Sequence, residues 1–123
     1  VDDCIDMIIN ELDSLPFRST IQTNWVGVAG TVTSLKAIEL GLNQYEPNLI
    51  HNSILTTKSI ETYTHLFSTM SPSDILKHYP MLHKRHDLIL AGCLILKATC
   101  MKFKIAELLV SDRGLRYGAF SEL

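Results

Sequence analysis

The chain has 123 residues, which is enough for at most one ordinary domain. Its 11 basic and 13 acidic residues give a net charge of −2, so it has no general attraction for nucleic acid or for an anionic membrane. Any polyanion must therefore bind at a local site.

The first predicted element is a helix over about residues 2–15, ended by Pro16. Its apolar residues recur at helical spacing: Ile5, Ile8, Ile9 and Leu12. Because the chain begins at Val1 and opens directly in this helix, we expect residues 1–123 to be a single partial domain of a longer protein.

The most informative tract runs from Asn24 to Leu35, where an apolar strand leads through a Gly-Thr turn into an amphipathic helix. The strand, predicted to be buried, contains Trp25, Val26 and Val28. Gly27 and Gly30 permit close backbone approach, and Gly30 or Thr31 caps the helix. Unpaired amides at a helix start attract anions, so this tract predicts a phosphate-binding loop. An ordinary tight strand-to-helix turn is the alternative.

The middle of the chain is predicted to be largely helical. Residues 48–55 are interpreted as extended, and a helix follows over about residues 58–70. The next helix has a complete start signal, with Ser71 as the cap, Pro72 at the first helical position and Asp74 facing the helix dipole. Pro80 ends it.

A buried helix is predicted over about residues 86–103, with Gly92 at a close helix contact. Its apolar stretch is shorter than the roughly 20 residues of a membrane span. Cys93 and Cys100 share one face as buried thiols, and with Cys4 they form an odd set without Cys-x-x-Cys spacing. We expect three free thiols and a reducing, cytoplasmic compartment.

The chain closes with a strand over residues 105–110 and a final helix that Ser111 and Asp112 cap, beginning near Arg113. Hydrophobic strands separated by several helices are expected to pair in parallel through helical crossovers. So small a sheet would leave apolar helix faces uncovered, and we expect further strands upstream.

The histidines do not predict a metal site. His83 and His86 flank Lys84 and Arg85, whose charges oppose a cation, although His78 lies nearby. His51, beside a strand, is interpreted as a packing or hydrogen-bonding residue. The aromatic residues lack an accompanying basic patch, so they are assigned to the core or to half-buried surface rather than to nucleic-acid stacking.

Four blocks of the sequence occur in a characteristic order: Gly27-Val-Ala-Gly-Thr31, Ile50-His-Asn-Ser-Ile-Leu-Thr56, Arg85-His-Asp-Leu-Ile-Leu-Ala-Gly92 and Val110-Ser-Asp-Arg-Gly-Leu-Arg-Tyr-Gly118. Together they resemble the exopolyphosphatase and guanosine pentaphosphate phosphohydrolase (Ppx/GppA) family. The resemblance implies an α/β fold, namely a fragment of an actin-like ATPase (ribonuclease H-like) domain, helix-rich with a small, mainly parallel sheet. The chain would be the later part of the second such domain.

The same resemblance implies hydrolysis of terminal phosphoanhydride bonds of inorganic polyphosphate or guanosine pentaphosphate, usually with Mg²⁺. The family's catalytic glutamate and its Asp-x-Gly-Gly-Gly-Ser loop would precede this segment. We therefore assign no catalytic residue and no metal ligand here, and expect the isolated chain to be inactive. Nucleic acid and membrane are not expected as partners, and a homodimer is one arrangement that the resemblance allows.

By that resemblance, the predicted phosphate-binding residues are Gly27, Gly30, Thr31, Arg85 and Arg116. Two alternatives stay open at this point: a structural salt bridge between Arg85 and Asp87, and solvated positions for Arg113 and Arg116.

Three positions depart from the family pattern. Ala29 stands where Gly or Ser is common, Asn52 where Gly is usual, and Tyr117 where an acidic residue often precedes the final glycine. We expect Ala29 to require negative φ and to stiffen the loop. Two other functions remain as alternatives: a phosphotransferase of the same superfamily, and a non-catalytic sensor of polyphosphate or nucleotide.

Overall fold

The computed structural model describes residues 1–17, 23–114 and 117–119. The helices in these ranges are α1 (Asp2–Asp13), α2 (Gly30–Glu39), α3 (Pro47–Ile50), α4 (Thr57–Ser68), α5 (Pro72–His78) and α6 (Ile89–Phe103). The strands are β1 (Val26–Gly27), β2 (Ile54–Thr56) and β3 (Glu107–Val110), and a 3-10 turn covers Pro80–Leu82. Residues 117–119 are also helical.

The three strands form one sheet in the order β1-β3-β2. β1 pairs with β3 in parallel, as predicted, but β2 pairs with β3 in antiparallel orientation. The helix-rich α/β class is therefore confirmed, whereas the sheet is mixed rather than mainly parallel. Between β2 and β3 the chain passes through two long helices, α4 and α6, and returns to the same end of the sheet, which gives an antiparallel pair.

The core lies between one face of the sheet and helices α2, α4 and α6. Its fully buried large side chains include Leu35, Ile50, Leu55, Ile60, Phe67, Leu82, Ile89 and Val110. A smaller cluster joins α1 to α6 through Ile5, Leu94 and Ala98. The predicted cap of α5 is confirmed, because the Ser71 hydroxyl accepts the Asp74 amide at 3.1 Å.

Several sequence-based boundaries were wrong. Residues 48–55 are not uniformly extended, since Pro47 starts the short helix α3 and the strand begins only at Ile54. Helix α6 starts at Ile89 rather than residue 86, after a run of turns. Arg113 and Gly114 are not yet helical, and the Arg113 amide donates to the Ser111 hydroxyl at 3.1 Å; the helix is present at residues 117–119, and where it starts lies outside the described residues.

The strand before the glycine loop is not buried as predicted. The Val26 side chain is 56% exposed and that of Val28 is 49% exposed. β1 is an edge strand, and Val26 lies in register with Leu109 and Ile54 on the face away from the buried Leu108 and Val110. On the other face, Gly27 lies against Val32 of helix α2.

The three cysteines are free, as predicted, with Cys4 exposed and Cys93 and Cys100 buried. Burial raises the pKa of Cys93 to about 12 and also raises the pKa of Cys100. Within the described residues, no helix is long and apolar enough to span a membrane.

Candidate anion-binding site

The start of helix α2 carries backbone amides for which no described residue provides an acceptor. Ala29 is the N-cap and has no side-chain hydrogen bond to the helix, and the first intrahelical bond runs from the Thr33 amide to the Ala29 carbonyl at 3.3 Å. In the described part of the chain, the amides of Gly30, Thr31 and Val32 have no acceptor. These donors stand at the positive end of the helix dipole, so they can receive an anion.

The backbone of Ala29 overturns the expectation of negative φ. Its φ is 72° and its ψ is −171°, a region that residues other than glycine rarely occupy. The conformation turns the chain from edge strand β1 into α2 within two residues. Asn52 also stands where the family usually has glycine. Its φ is likewise positive, at 66°, which asparagine adopts more readily than most residues.

The guanidinium of Arg85 lies directly over Gly30. A Cβ built on Gly30 would be 1.3 Å from Arg85 Nη1, so only glycine leaves room for this approach. Arg85 reaches the helix start from the turns before α6, where its amide donates to the Leu82 carbonyl at 2.8 Å. The proposed Arg85–Asp87 salt bridge is not formed: the ion pairs among described residues are Lys36–Glu39 and Lys102–Asp13.

An open cavity of about 400 Å³ lies beside this helix start. Its lining residues are Ala29, Gly30, Thr33, Ser34, Tyr45, Met81, His83, Lys84, Arg85, Asp112 and Gly114. The lining therefore includes the basic run His83-Lys84-Arg85 and also Tyr45 and Asp112. The basic side chains and the free amides at the start of α2 together favour an oxyanion as the ligand.

Two predicted site residues shape the loop instead of lining the cavity. A Cβ on Gly27 would be 2.8 Å from Leu108 Cδ1 and 2.9 Å from Val32 Cγ1, so this glycine permits packing. The Thr31 hydroxyl lies against Gly92 of α6, where an added Cβ would be only 2.1 Å from Oγ1. The close helix contact predicted at Gly92 is thus present. Arg116 lies outside the described residues.

Sequence reasoning missed several lining residues. Thr33 and Ser34 follow Gly30 by three and four positions, which places them on the same side of the helix, so helical spacing was a usable signal. Lys84 is adjacent to the predicted Arg85, and that adjacency was also a usable signal. Asp112 belongs to the fourth family block but was assigned only as a helix cap, and Tyr45, 67 residues away along the chain, had no local signal.

Tyr45 and Asp112, which both line the cavity, are hydrogen-bonded to each other. The phenol donates a hydrogen bond to Asp112 Oδ1, and the Asp112 amide donates to His51 Nδ1 at 3.2 Å, which confirms His51 as a hydrogen-bonding residue. Burial and the Asp112 carboxylate raise the pKa of Tyr45, outweighing Thr33 and Arg85, which lower it. The phenol therefore stays protonated at neutral pH.

The described residues do not fit a magnesium site. They contain no group of three or more His, Cys, Asp or Glu side chains placed around one point. Asp112 is the one carboxylate among the cavity's described lining residues, and Tyr45 occupies one of its oxygens. Two of the neighbouring histidines contact backbone carbonyls through a ring nitrogen. His78 Nδ1 lies 2.9 Å from the Asp74 carbonyl oxygen, and His86 Nδ1 lies 3.1 Å from the His83 carbonyl oxygen.

Together the mixed sheet, the covering helices and the amide-lined helix start define a helix-rich chain of the actin-like ATPase fold. A family profile matches residues 2–123, and the chain belongs to the Ppx/GppA phosphatase family.

Relatives of known structure and sequence support this assignment. The chain superposes on the crystal structure of the Aquifex aeolicus Ppx/GppA family member with a TM-score of 0.90 at 28% identity, covering 98% of this chain and 39% of that one. It is 30% identical over 118 residues to a bifunctional 3-dehydroquinate synthase/phosphatase of Fusobacterium nucleatum, covering 95% of this chain and 17% of that protein.

A more distant structure agrees in fold alone. An exopolyphosphatase from Cytophaga hutchinsonii superposes with a TM-score of 0.73 at 15% identity, over 98% of this chain and 41% of that one. The chain thus spans less than half the length of these relatives.

Proposed function

We propose that this chain forms one wall of the phosphate-binding cleft of a phosphatase that hydrolyses terminal phosphoanhydride bonds of inorganic polyphosphate or guanosine pentaphosphate. The observation that carries the proposal is the meeting of Arg85 with the unpaired amides of helix α2 at Gly30. Membership in the phosphatase family supports it.

The donors at this site match the shape and charge of a terminal phosphoryl group. Its equatorial oxygens suit the planar fork of the Arg85 guanidinium and the outward amides of Gly30 and Thr31. Lys84 adds a second positive charge at the same cavity. Donors fixed in this way stabilise the charge that develops on phosphate during transfer.

The reactive groups are proposed to lie elsewhere in a longer protein. Hydrolysis needs a carboxylate to orient water, and a metal ion, for which we propose Mg²⁺, to neutralise the phosphates. Of these groups, the described lining of the cavity contributes one carboxylate, that of Asp112, which already accepts a hydrogen bond from Tyr45. We therefore propose that residues 1–123 are a partial domain, inactive alone, of a cytoplasmic enzyme; a homodimer is compatible with this proposal.

The sharpest test uses the close approach at Gly30. In Gly30→Ala, the new methyl group displaces the Arg85 guanidinium, so the substitution removes the arginine from the site without altering its charge. We expect Gly30→Ala and Arg85→Ala each to raise the KM for polyphosphate or guanosine pentaphosphate about tenfold, the effect of losing one charge-assisted hydrogen bond. The double variant is expected to be little worse than either single variant.

The measurement is phosphate release by the full-length protein, with Lys58→Ala as the matched charge control, since Lys58 is exposed on α4 and does not line the cavity. Unchanged KM in both single variants would remove this loop from the mechanism. Transfer of label from ATP to an acceptor would instead favour a phosphotransferase, and tight binding of either polyanion without turnover would favour a sensor.

A further inference from the structure

The anion cavity contains a carboxylate that ought to compete with its ligand. Asp112 lines the same cavity as Lys84 and Arg85. A carboxylate free to reach a guanidinium forms a charge-assisted, often bidentate pair with it, and such a pair would occupy the donors that a phosphate needs. Among the described residues, however, no ion pair joins Asp112 to either cation.

Asp112 is held by two contacts from other parts of the fold. The Tyr45 hydroxyl, in the connection between α2 and α3, donates to Oδ1 of its side chain. His51, which follows α3, accepts the Asp112 backbone amide through Nδ1 at 3.2 Å. The first contact orients the carboxylate, and the second fixes the backbone from which it projects.

Tyr45 is suited to hold a carboxylate because it acts as a hydrogen-bond donor there. Burial and Asp112 itself raise its pKa, so the hydroxyl keeps its proton over the neutral range. The Arg85 charge lowers the same pKa, which places the guanidinium within electrostatic reach of the phenol and of its acceptor.

We propose that Tyr45 is a positioning residue that holds the Asp112 carboxylate away from Arg85 and so keeps the guanidinium free to bind phosphate. The inference rests on the proposed function, since it concerns the same cavity. Tyr45 lies outside the four sequence blocks that resemble the family.

The test is a double-variant cycle on Tyr45→Phe and Asp112→Asn in the full-length protein, with inorganic pyrophosphate as the probe in titration calorimetry. Tyr45→Phe removes only the hydroxyl and releases Asp112, so we expect pyrophosphate to bind about three- to fivefold more weakly, in line with a partly exposed ion pair. In the Asp112→Asn background the same substitution should change affinity less than twofold, because no carboxylate remains to compete with the ligand.

Two further measurements separate this role from a structural one. The loss in Tyr45→Phe should shrink in high salt, because screening weakens the pairing between Asp112 and Arg85. In turnover assays it should appear in KM rather than in kcat. A structural role for the hydroxyl would instead weaken binding equally in both backgrounds, and that result would overturn the inference.

The outcomes also distinguish the two proposals. If the wild-type protein binds pyrophosphate, Arg85→Ala weakens this binding about tenfold and Tyr45→Phe has no effect, then the positioning role is wrong and the proposed function stands. If the wild-type protein does not bind pyrophosphate at all, both proposals fail.

Discussion

Two glycines set how closely side chains approach the start of helix α2. Gly30 admits the guanidinium of Arg85 from the cavity side, and Gly92 of α6 admits the hydroxyl of Thr31 from the core side. The first contact assembles the anion site, while the second anchors the loop that presents it. Both depend on the missing Cβ, because the atoms that a methyl group would meet lie well inside contact distance.

Gly92→Ala is expected to destabilise the protein. Alanine is favoured over glycine in a helix by about 1 kcal/mol. The new Cβ, however, would lie 2.1 Å from Thr31 Oγ1 and 3.1 Å from Thr31 Cβ, and overpacking of this kind costs about 1–3 kcal/mol. Because Thr31 is β-branched and cannot easily rotate away, we expect a net loss of about 1 kcal/mol in urea unfolding.

A second variant checks the cause of that loss. Adding Thr31→Ala to Gly92→Ala removes the clashing hydroxyl, so the pair should recover most of the lost stability. If Gly92→Ala alone were more stable than the wild type, helix propensity would outweigh the contact and the two elements would not be tightly packed at this point.

At the scale of elements, helix α2 is tied at its far end to β2 and α4. Lys36 Nζ donates to Glu39 Oε2 at 2.7 Å and to the Ile54 carbonyl at 2.8 Å. The Ser59 hydroxyl donates to the other Glu39 oxygen at 2.5 Å. The helix whose first turn faces the cavity is therefore fixed at both ends, by Gly92 near its start and by this polar group near its end.

Glu39 gives this attachment a pH dependence. Burial alone would raise its pKa, but hydrogen bonds from Lys36 and Ser59 outweigh burial and lower the pKa from the ordinary value of 4.5. Since the folded pKa is the lower one, the stabilisation is fully present above about pH 4.5 and is lost as pH falls through the folded pKa.

We expect Glu39→Gln to lose about 0.5 kcal/mol of unfolding free energy at pH 7, the size of a partly exposed ion pair, and we expect the difference from wild type to narrow below about pH 4. Urea unfolding at both pH values measures this, with Glu11→Gln on exposed α1 as the charge control. A difference that stayed constant with pH would mean that the glutamate acts through shape rather than charge.

How far the sequence predicts this fold depends on whether local or distant contacts decide an element. Helices α1, α4 and α5 follow from apolar spacing and from caps such as Ser71, which are local. The direction of β2, the exposure of Val26 and the positive φ of Ala29 depend on strands and helices far along the chain. The periodicity of a short stretch of sequence depends on that stretch alone, so it cannot predict contacts with residues far along the chain.

The candidate site also contains some residues that the local sequence predicts and others that depend on distant contacts. The glycine loop and Arg85 were predictable because each belongs to a compact motif. Tyr45 and Asp112 meet only after α2, α3 and β3 have packed, so their contact is a product of tertiary structure. Thr31 was assigned to phosphate because its motif is local, whereas its hydroxyl is directed by Gly92 of a distant helix.

At the scale of the whole molecule, helix α6 packs against both α1 and α4, so its exposure requires the domain to open. Its two buried thiols report on that opening, since burial raises the pKa of Cys93 to about 12 and also raises that of Cys100. The thiolate is the reactive form, so Cys93 and Cys100 should both resist alkylation at pH 8, while the exposed Cys4 on α1 should react quickly.

Mass spectrometry of peptides labelled with iodoacetamide should therefore show Cys4 modified first and the two buried cysteines modified at the rate of unfolding. In urea all three should react alike, and Cys4→Ser should remove the fast phase alone. Rapid labelling of Cys93 in the folded protein would mean that the α4–α6 contact, where Cys93 packs beside Thr64, opens without global unfolding.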